Sequence, residues 1–221
     1  RSGVQLTQQQ ERALKTVLNN KMSILTGGPG TGKTTTLRTI IDILRVNNFS
    51  FKLASPTGRA AKRLEEATGQ EAQTIHRLLG FSPVEGFTYN REHNLRSDVV
   101  IIDEASMIDL FLFYSLVKAI GPGTHLLLVG DVDQLPSVGA GDVLRDLIRS
   151  NICPVIRLDT VFRQADDSKI IENAHRINNG QVPDTNNNSS DFYFFGEAEP
   201  PAAAELLVDI VSNRIPQKFG F

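Results

Sequence analysis

Short apolar runs alternate with amphipathic stretches along most of this chain. The run at 22–26 (MSILT) is apolar, leads straight into glycines, and reads as a buried strand. Runs at 51–54, 99–103, 125–130 and 153–158 read the same way. Helical stretches fall between and after them, at 34–46, 57–68, 74–79, 108–120, 141–150 and 166–179. In the first, Leu37, Ile40, Ile41 and Leu44 line one side of a 3.6-residue period. The strands are apolar at consecutive positions, not at every second one. That is the pattern of a parallel sheet buried on both sides. The expected class is therefore α/β, a mostly parallel sheet with helices on both faces.

Two segments interrupt the alternation. Residues 81–98 (FSPVEGFTYNREHNLRSD) carry Gly86 between short stretches, with Phe87 and Tyr89 at period two, which suggests a surface hairpin. Residues 184–191 (DTNNNSSD) are polar and turn-forming, the composition of a linker. One strand at 192–195 and one helix near 202–213 follow. A strand and a helix cannot bury a core alone. The expected organisation is a first domain over 1–183, a linker at 184–191, and at 192–221 the opening of a second domain. With Arg1 rather than Met in first place, the sequence reads as a piece of a longer protein.

Composition narrows the partners. The chain has 23 basic and 25 acidic residues, a net charge of −2, so no global positive field exists to hold a polyanion. Any nucleic-acid contact must come from a local groove. A lone cysteine, Cys153, excludes an internal disulfide and fits a reducing compartment. The longest apolar run, at 110–114, is too short to span a bilayer, and no charged-then-apolar leader opens the chain. The expectation is a soluble, cytoplasmic protein without a membrane partner.

The densest chemistry lies at 27–34, where GGPGTGKT matches G-x-x-x-x-G-K-[ST]. Glycines let backbone N–H groups curl around phosphate oxygens, and the following helix aims its positive end at the same anion. Gly28, Pro29, Gly30, Thr31, Gly32, Lys33, Thr34 and Thr35 are thus candidate nucleotide contacts. Lys33 would reach the outer phosphates and the Thr34 hydroxyl would ligate Mg²⁺. The run at 99–102 ends in Asp103 and Glu104. Ligands of open parallel sheets gather at the carboxyl ends of strands, which suits Asp103 to holding Mg²⁺ and Glu104 to orienting the attacking water. No N-K-x-D tetrapeptide occurs, so a guanine-reading signature is absent and ATP is the better expectation. Two further candidates are Gln134, in DVDQLPS after the 125–130 run, and Arg163 in LDTVFRQ. Gln134 reads equally as a turn residue or a γ-phosphate sensor. Arg163 reads as an ion-pair partner or a clamp on transition-state charge.

Taken in order, LTQQQERAL (6–14), GGPGTGKTTTL (27–37), ASPTGRAAKRL (54–64), TIHRLLG (74–80), VVIIDEASM (99–107), LLLVGDVDQLPSVGAGDVL (126–144) and LDTVFRQ (158–164) resemble the motifs of a superfamily 1 DNA helicase. The likeness is to the RecD/TraA-like group, related to the α chain of exodeoxyribonuclease V, and IIENAHRINNGQVP and DFYFF continue it. The resemblance implies a RecA-like first motor domain with a P-loop and the start of a second. It implies that Gln10 recognises adenine, that Gln134 links the γ-phosphate to DNA, and that Arg163 reaches that phosphate. It assigns Pro56, Thr57, Gly58, Arg59, Thr74 and His76 to the grip on single-stranded DNA. Arg59, Lys62 and Arg63 form a basic helix side opposite Ala60, Leu64 and Ala67, which a solvated surface explains equally well. The resemblance further implies ATP-driven 5′-to-3′ movement, Mg²⁺, and nuclease or helicase subunits of a recombination complex as partners. The family's later motifs lie beyond residue 221, so slow hydrolysis without unwinding is expected of these residues alone. Rival readings are a P-loop ATPase with no nucleic-acid role and a nucleotide-switched binding module.

Overall fold

The computed structural model describes residues 8–158 and 168–220. Contacts divide the chain between Ala165 and Asp166 into two units. The first opens with α1 (Gln8–Asn19), β1 (Met22–Gly27), α2 (Lys33–Val46) and β2 (Phe51–Ser55). It continues through α3 (Gly58–Thr68), β3 (Ala72–Thr74), α4 (Ile75–Leu78) and the hairpin strands β4 (Phe81–Ser82) and β5 (Gly86–Phe87). Then come β6 (Val99–Ile102), a 3-10 turn at Ala105–Met107, α5 (Leu110–Ala119), β7 (His125–Gly130), α6 (Val143–Ser150) and β8 (Val155–Leu158).

The six longer-range strands form one sheet in the order β3-β2-β6-β7-β1-β8, and every pairing in it is parallel. Consecutive strand residues face opposite ways, and both sets are buried. Ile24, Val100, Ile102, Leu126 and Leu128 pack with Ile75, Leu78, Leu112, Leu116, Leu144 and Leu147 of α4, α5 and α6. Leu25, Val99, Ile101, Leu127 and Val129 pack with Ala13, Val17, Leu37, Ile40, Ile41, Leu44 and Leu64 of α1, α2 and α3. The unbroken apolar runs thus arise because each face of the sheet has its own helical cover.

Most predicted elements form within a residue or two of their expected ends. The hairpin within 81–98 is present but short, pairing Phe81 with Phe87 and Ser82 with Gly86. On α3 the buried residues are Ala61, Leu64 and Thr68, which turns the predicted apolar side by one position. Two elements were not anticipated. In α1, Ala13 and Val17 are fully buried four residues apart. The edge strand β3 spans only three residues and lacks an apolar run.

The second unit holds α7 (Lys169–Asn178), α8 (Pro200–Asp209), a π turn at Ile210–Arg214, and α9 (Ile215–Phe219). Its division at 165/166 lies ahead of the boundary expected at 183/184. The polar 184–191 stretch is hydrogen bonded to α7. Asn173 donates to the Asp184 carbonyl and accepts from its N–H, and Asp191 accepts from Ser168 and the Lys169 N–H. The strand expected at 192–195 does not form. The Phe194 N–H and carbonyl are both satisfied by the Asn187 side-chain amide, an alternative to ladder pairing. No helix among the described residues is long and apolar enough to cross a membrane.

Candidate functional site

Parallel strands place all their carboxyl ends on one edge of the sheet, and the candidate residues collect there. β1 ends in Gly27, and the loop turns through Gly30 and Gly32 at φ +74° and +81°. Glycine adopts this left-handed backbone without steric cost, and Gly32 is the residue from which α2 starts. Gly27 is required for a different reason. A Cβ there would lie 2.5 Å from Thr31 Oγ1 and 2.7 Å from the Leu158 carbonyl oxygen. Thr31, buried, donates to the Gly28 carbonyl at 2.8 Å and closes the loop on itself. Thr34 and Thr35 lie exposed in the first turn of α2, with Pro29 part-buried in the loop.

Lys33 folds back over this loop. Its Nζ donates to the carbonyls of Gly27 at 2.6 Å and Gly28 at 3.0 Å, and lies 3.6 Å from Asp131 Oδ2. Asp131 follows directly on β7, whose Gly130 is in register with Thr26 of β1. It is almost fully buried, and Gln134 Nε2 donates to its Oδ2 at 3.5 Å. Gln134 itself is exposed, so both a turn position and access to a phosphate are consistent with its placement. Sequence reasoning overlooked Asp131. Its position as the first polar residue after a buried strand, which Asp103 shares, marks it as a candidate but does not name Lys33 as its partner.

Asp103 stands at the end of β6, beside β7, and its N–H donates to the Ala54 carbonyl of β2. Burial pushes its carboxyl up to about 6; the Glu104 N–H opposes this, the Glu104 carboxylate adds to it, and the Lys33 ammonium opposes it. Asp103 and Lys33 therefore sense each other's charge, and both acids lie on the same edge of the sheet as the loop. Glu104 is held at φ +55°, ψ +41°, a left-handed conformation uncommon for a residue with a Cβ. It starts the 3-10 turn that passes Gly130, where a Cβ would lie 3.1 Å from the Ser106 nitrogen and 2.7 Å from Leu144 Cδ2.

The residues assigned to a DNA grip lie on the same edge, further across. β2 and β3 pair with Ser55 opposite Thr74, so 56–59 and 74–76 leave the sheet side by side. Thr57 caps α3 by accepting from the Ala60 N–H, and Thr74 caps α4 by accepting from the Arg77 N–H. Arg59, exposed, follows Gly58 at the start of α3. His76 is also exposed, with its ring edge-on to Phe81 at 5.4 Å and tilted against Phe87 at 5.8 Å. Gln10 lies within α1, but its side chain is outside the described set, and Arg163 lies outside the described residues.

The donor set suits a magnesium nucleotide. A hydroxyl at Thr34 and a carboxylate at Asp103 are hard oxygen ligands, and a glycine loop at a helix start suits phosphate. Residues 10–140 match the AAA domain family. The ATP-dependent RecD2 DNA helicase of Deinococcus radiodurans is 43% identical over 178 residues, which cover 80% of this chain and 24% of that protein. The RecBCD enzyme subunit RecD of Mycobacterium tuberculosis is 40% identical over 163 residues, covering 63% of this chain and 28% of that protein. The chain thus spans about a quarter of the length of these relatives. Among solved structures, the Pif1 helicase from Candida albicans superposes with a TM-score of 0.61 at 29% identity, over 82% of this chain and 45% of that one. Since the family match extends over more than half of its residues, the chain belongs to the AAA domain family, and it is similar to RecD-type and Pif1 helicases, with the same RecA-like sheet.

Proposed function

We propose that this chain binds and hydrolyses ATP to drive movement along single-stranded DNA, as the motor of a helicase. The observation that carries the reading is the convergence of Lys33, Asp103 and the glycine loop at one sheet edge. In this reading 28–35 hold the triphosphate, Gln10 faces the adenine, and Lys33 moves from the loop carbonyls to the outer phosphates. Thr34 and Asp103 would hold Mg²⁺, which offsets charge on the phosphoryl group. Glu104 orients the attacking water and takes up its proton, and Arg163 reaches the γ-phosphate. Gln134 relays the state of that phosphate toward the grip formed by Pro56, Thr57, Gly58, Arg59, Thr74 and His76. Direction is proposed as 5′ to 3′, the setting as the cytoplasm, and the partners as subunits of a recombination or repair assembly. Residues 192–221 are proposed to begin a second motor domain.

The test is steady-state ATP turnover with and without oligo-dT, for the native chain and for Lys33→Ala. The expected result is Mg²⁺-dependent turnover that DNA raises and Lys33→Ala abolishes. Turnover indifferent to DNA would favour an ATPase without a nucleic-acid role, and tight binding without turnover a nucleotide switch. In a longer form that carries the family's later motifs, preference for 3′-tailed over 5′-tailed duplexes would reverse the proposed direction.

A further inference from the structure

Lys33 has three donor protons, and in this structure its ammonium already has three oxygen partners within the loop and its neighbour. Two are neutral carbonyls, of Gly27 and Gly28. The third, Asp131, is the charged one, only 1% exposed. Asp131 is also bound from its other side. Its Oδ1 accepts from the Asp133 N–H at 3.0 Å, its Oδ2 from Gln134 Nε2 at 3.5 Å, and its carbonyl from the Gln134 N–H at 3.3 Å. One buried carboxylate therefore joins the phosphate-loop lysine to the segment that carries Gln134. Its place is set by the backbone, since Thr26 and Gly130 are in register on adjacent parallel strands.

We infer that Asp131 is a positioning residue that holds the Lys33 ammonium while the loop is empty and passes the loss of that ammonium to Gln134 when a triphosphate takes it. The inference deepens the proposed function and rests on it for the identity of the ligand. The physical logic is competition. A triphosphate must outbid Asp131 for Lys33, and its own negative charge is repelled by the carboxylate it displaces. Once Lys33 leaves, a buried anion has lost its cation and must find compensation. The groups already within reach belong to 133 and 134. The arrival of phosphate at one side of Asp131 is thus converted into a changed bonding pattern on the other.

Asp131→Asn separates this role from packing, because the amide keeps the size and the acceptor for the Asp133 N–H but loses the charge. In the full chain, the dissociation constant of a fluorescent ATP analogue should tighten about tenfold. KM should fall with it, while kcat and the stimulation by oligo-dT drop and the melting temperature stays within a few degrees. Unchanged or weaker nucleotide binding in a folded Asp131→Asn protein overturns the inference. A second measurement does not depend on that variant folding. Amide hydrogen exchange at Asp133 in nucleotide-free Lys33→Ala should be slower than in the native chain, because the carboxylate without its cation draws more strongly on that N–H. Exchange that is unchanged or faster there overturns the link. If the native chain binds no nucleotide, the proposed function fails, and hydrogen exchange still decides whether Lys33 and 131–134 are coupled.

Discussion

Replacing Asp103 by Asn should make the protein more stable while removing its turnover, and the size of the gain should depend on pH. Burial, the largest influence on this group, raises its carboxyl from 3.8 to about 6. Near pH 3 the side chain is protonated in the folded and unfolded chain alike, so it costs nothing. As pH rises through 3.8 the unfolded chain ionises first, and the fold begins to lose stability relative to it. The loss is complete once pH has passed about 6, and amounts to about 3 kcal/mol. Asn cannot ionise and escapes the penalty. Urea unfolding of both proteins should therefore show a gap of about 1 kcal/mol near pH 4.5 that widens to about 3 kcal/mol by pH 7 and then stays level. In thermal melts at pH 8 that gap corresponds to about 6–12 °C for a unit of this size. A gap independent of pH, or a variant less stable than the native chain at pH 8, would show that the carboxylate is adequately compensated and the reasoning wrong.

Other outcomes follow from single contacts. Glu104→Gln keeps the side-chain shape but removes the anion, so turnover should fall about 10²- to 10⁴-fold with nucleotide affinity retained; equal loss of both in a binding titration would argue against a role at the water. Gly130→Ala forces a Cβ against Leu144 and the backbone of Ser106. It should cost about 1–3 kcal/mol in urea unfolding, and an unmoved midpoint would mean that the 3-10 turn yields freely. Thr57→Ala removes the hydroxyl that accepts from the Ala60 N–H. A loss of about 1 kcal/mol is expected, together with weaker binding of labelled oligo-dT by anisotropy if 56–59 grip DNA.

The inner strands were legible because they have no solvent face. Ile24 and Leu25, or Ile101 and Ile102, point to opposite helical layers, so apolar residues run without a break. The glycine loop was legible because its backbone tolerates few alternatives at Gly27, Gly30 and Gly32. The edge strand β3 carries no such mark, since Ala72, Gln73 and Thr74 are only half-buried and pair on one side. Residues 192–195 show the converse failure. Their aromatic pattern suits a strand, yet Asn187 supplies the hydrogen bonds that a neighbouring strand would have made. Asp131 escaped notice because its importance is relational. Nothing in DVDQ says which acid is buried against a lysine nearly a hundred residues earlier, and only the pairing of β1 with β7 brings them together.

The strand order has a mechanical corollary. β1 and β2 stand three places apart in the sheet, with β7 and β6 between them, which separates the two rims by about 14 Å. Both surfaces of that plate are sealed by close-packed side chains, which resist bending. A push delivered beneath the loop after β1 would accordingly shift the rim above β2 as a rigid body, like the far end of a tray lifted by one handle. Any flexing then has to come from the connections along that rim, above all those leaving β6 and β7.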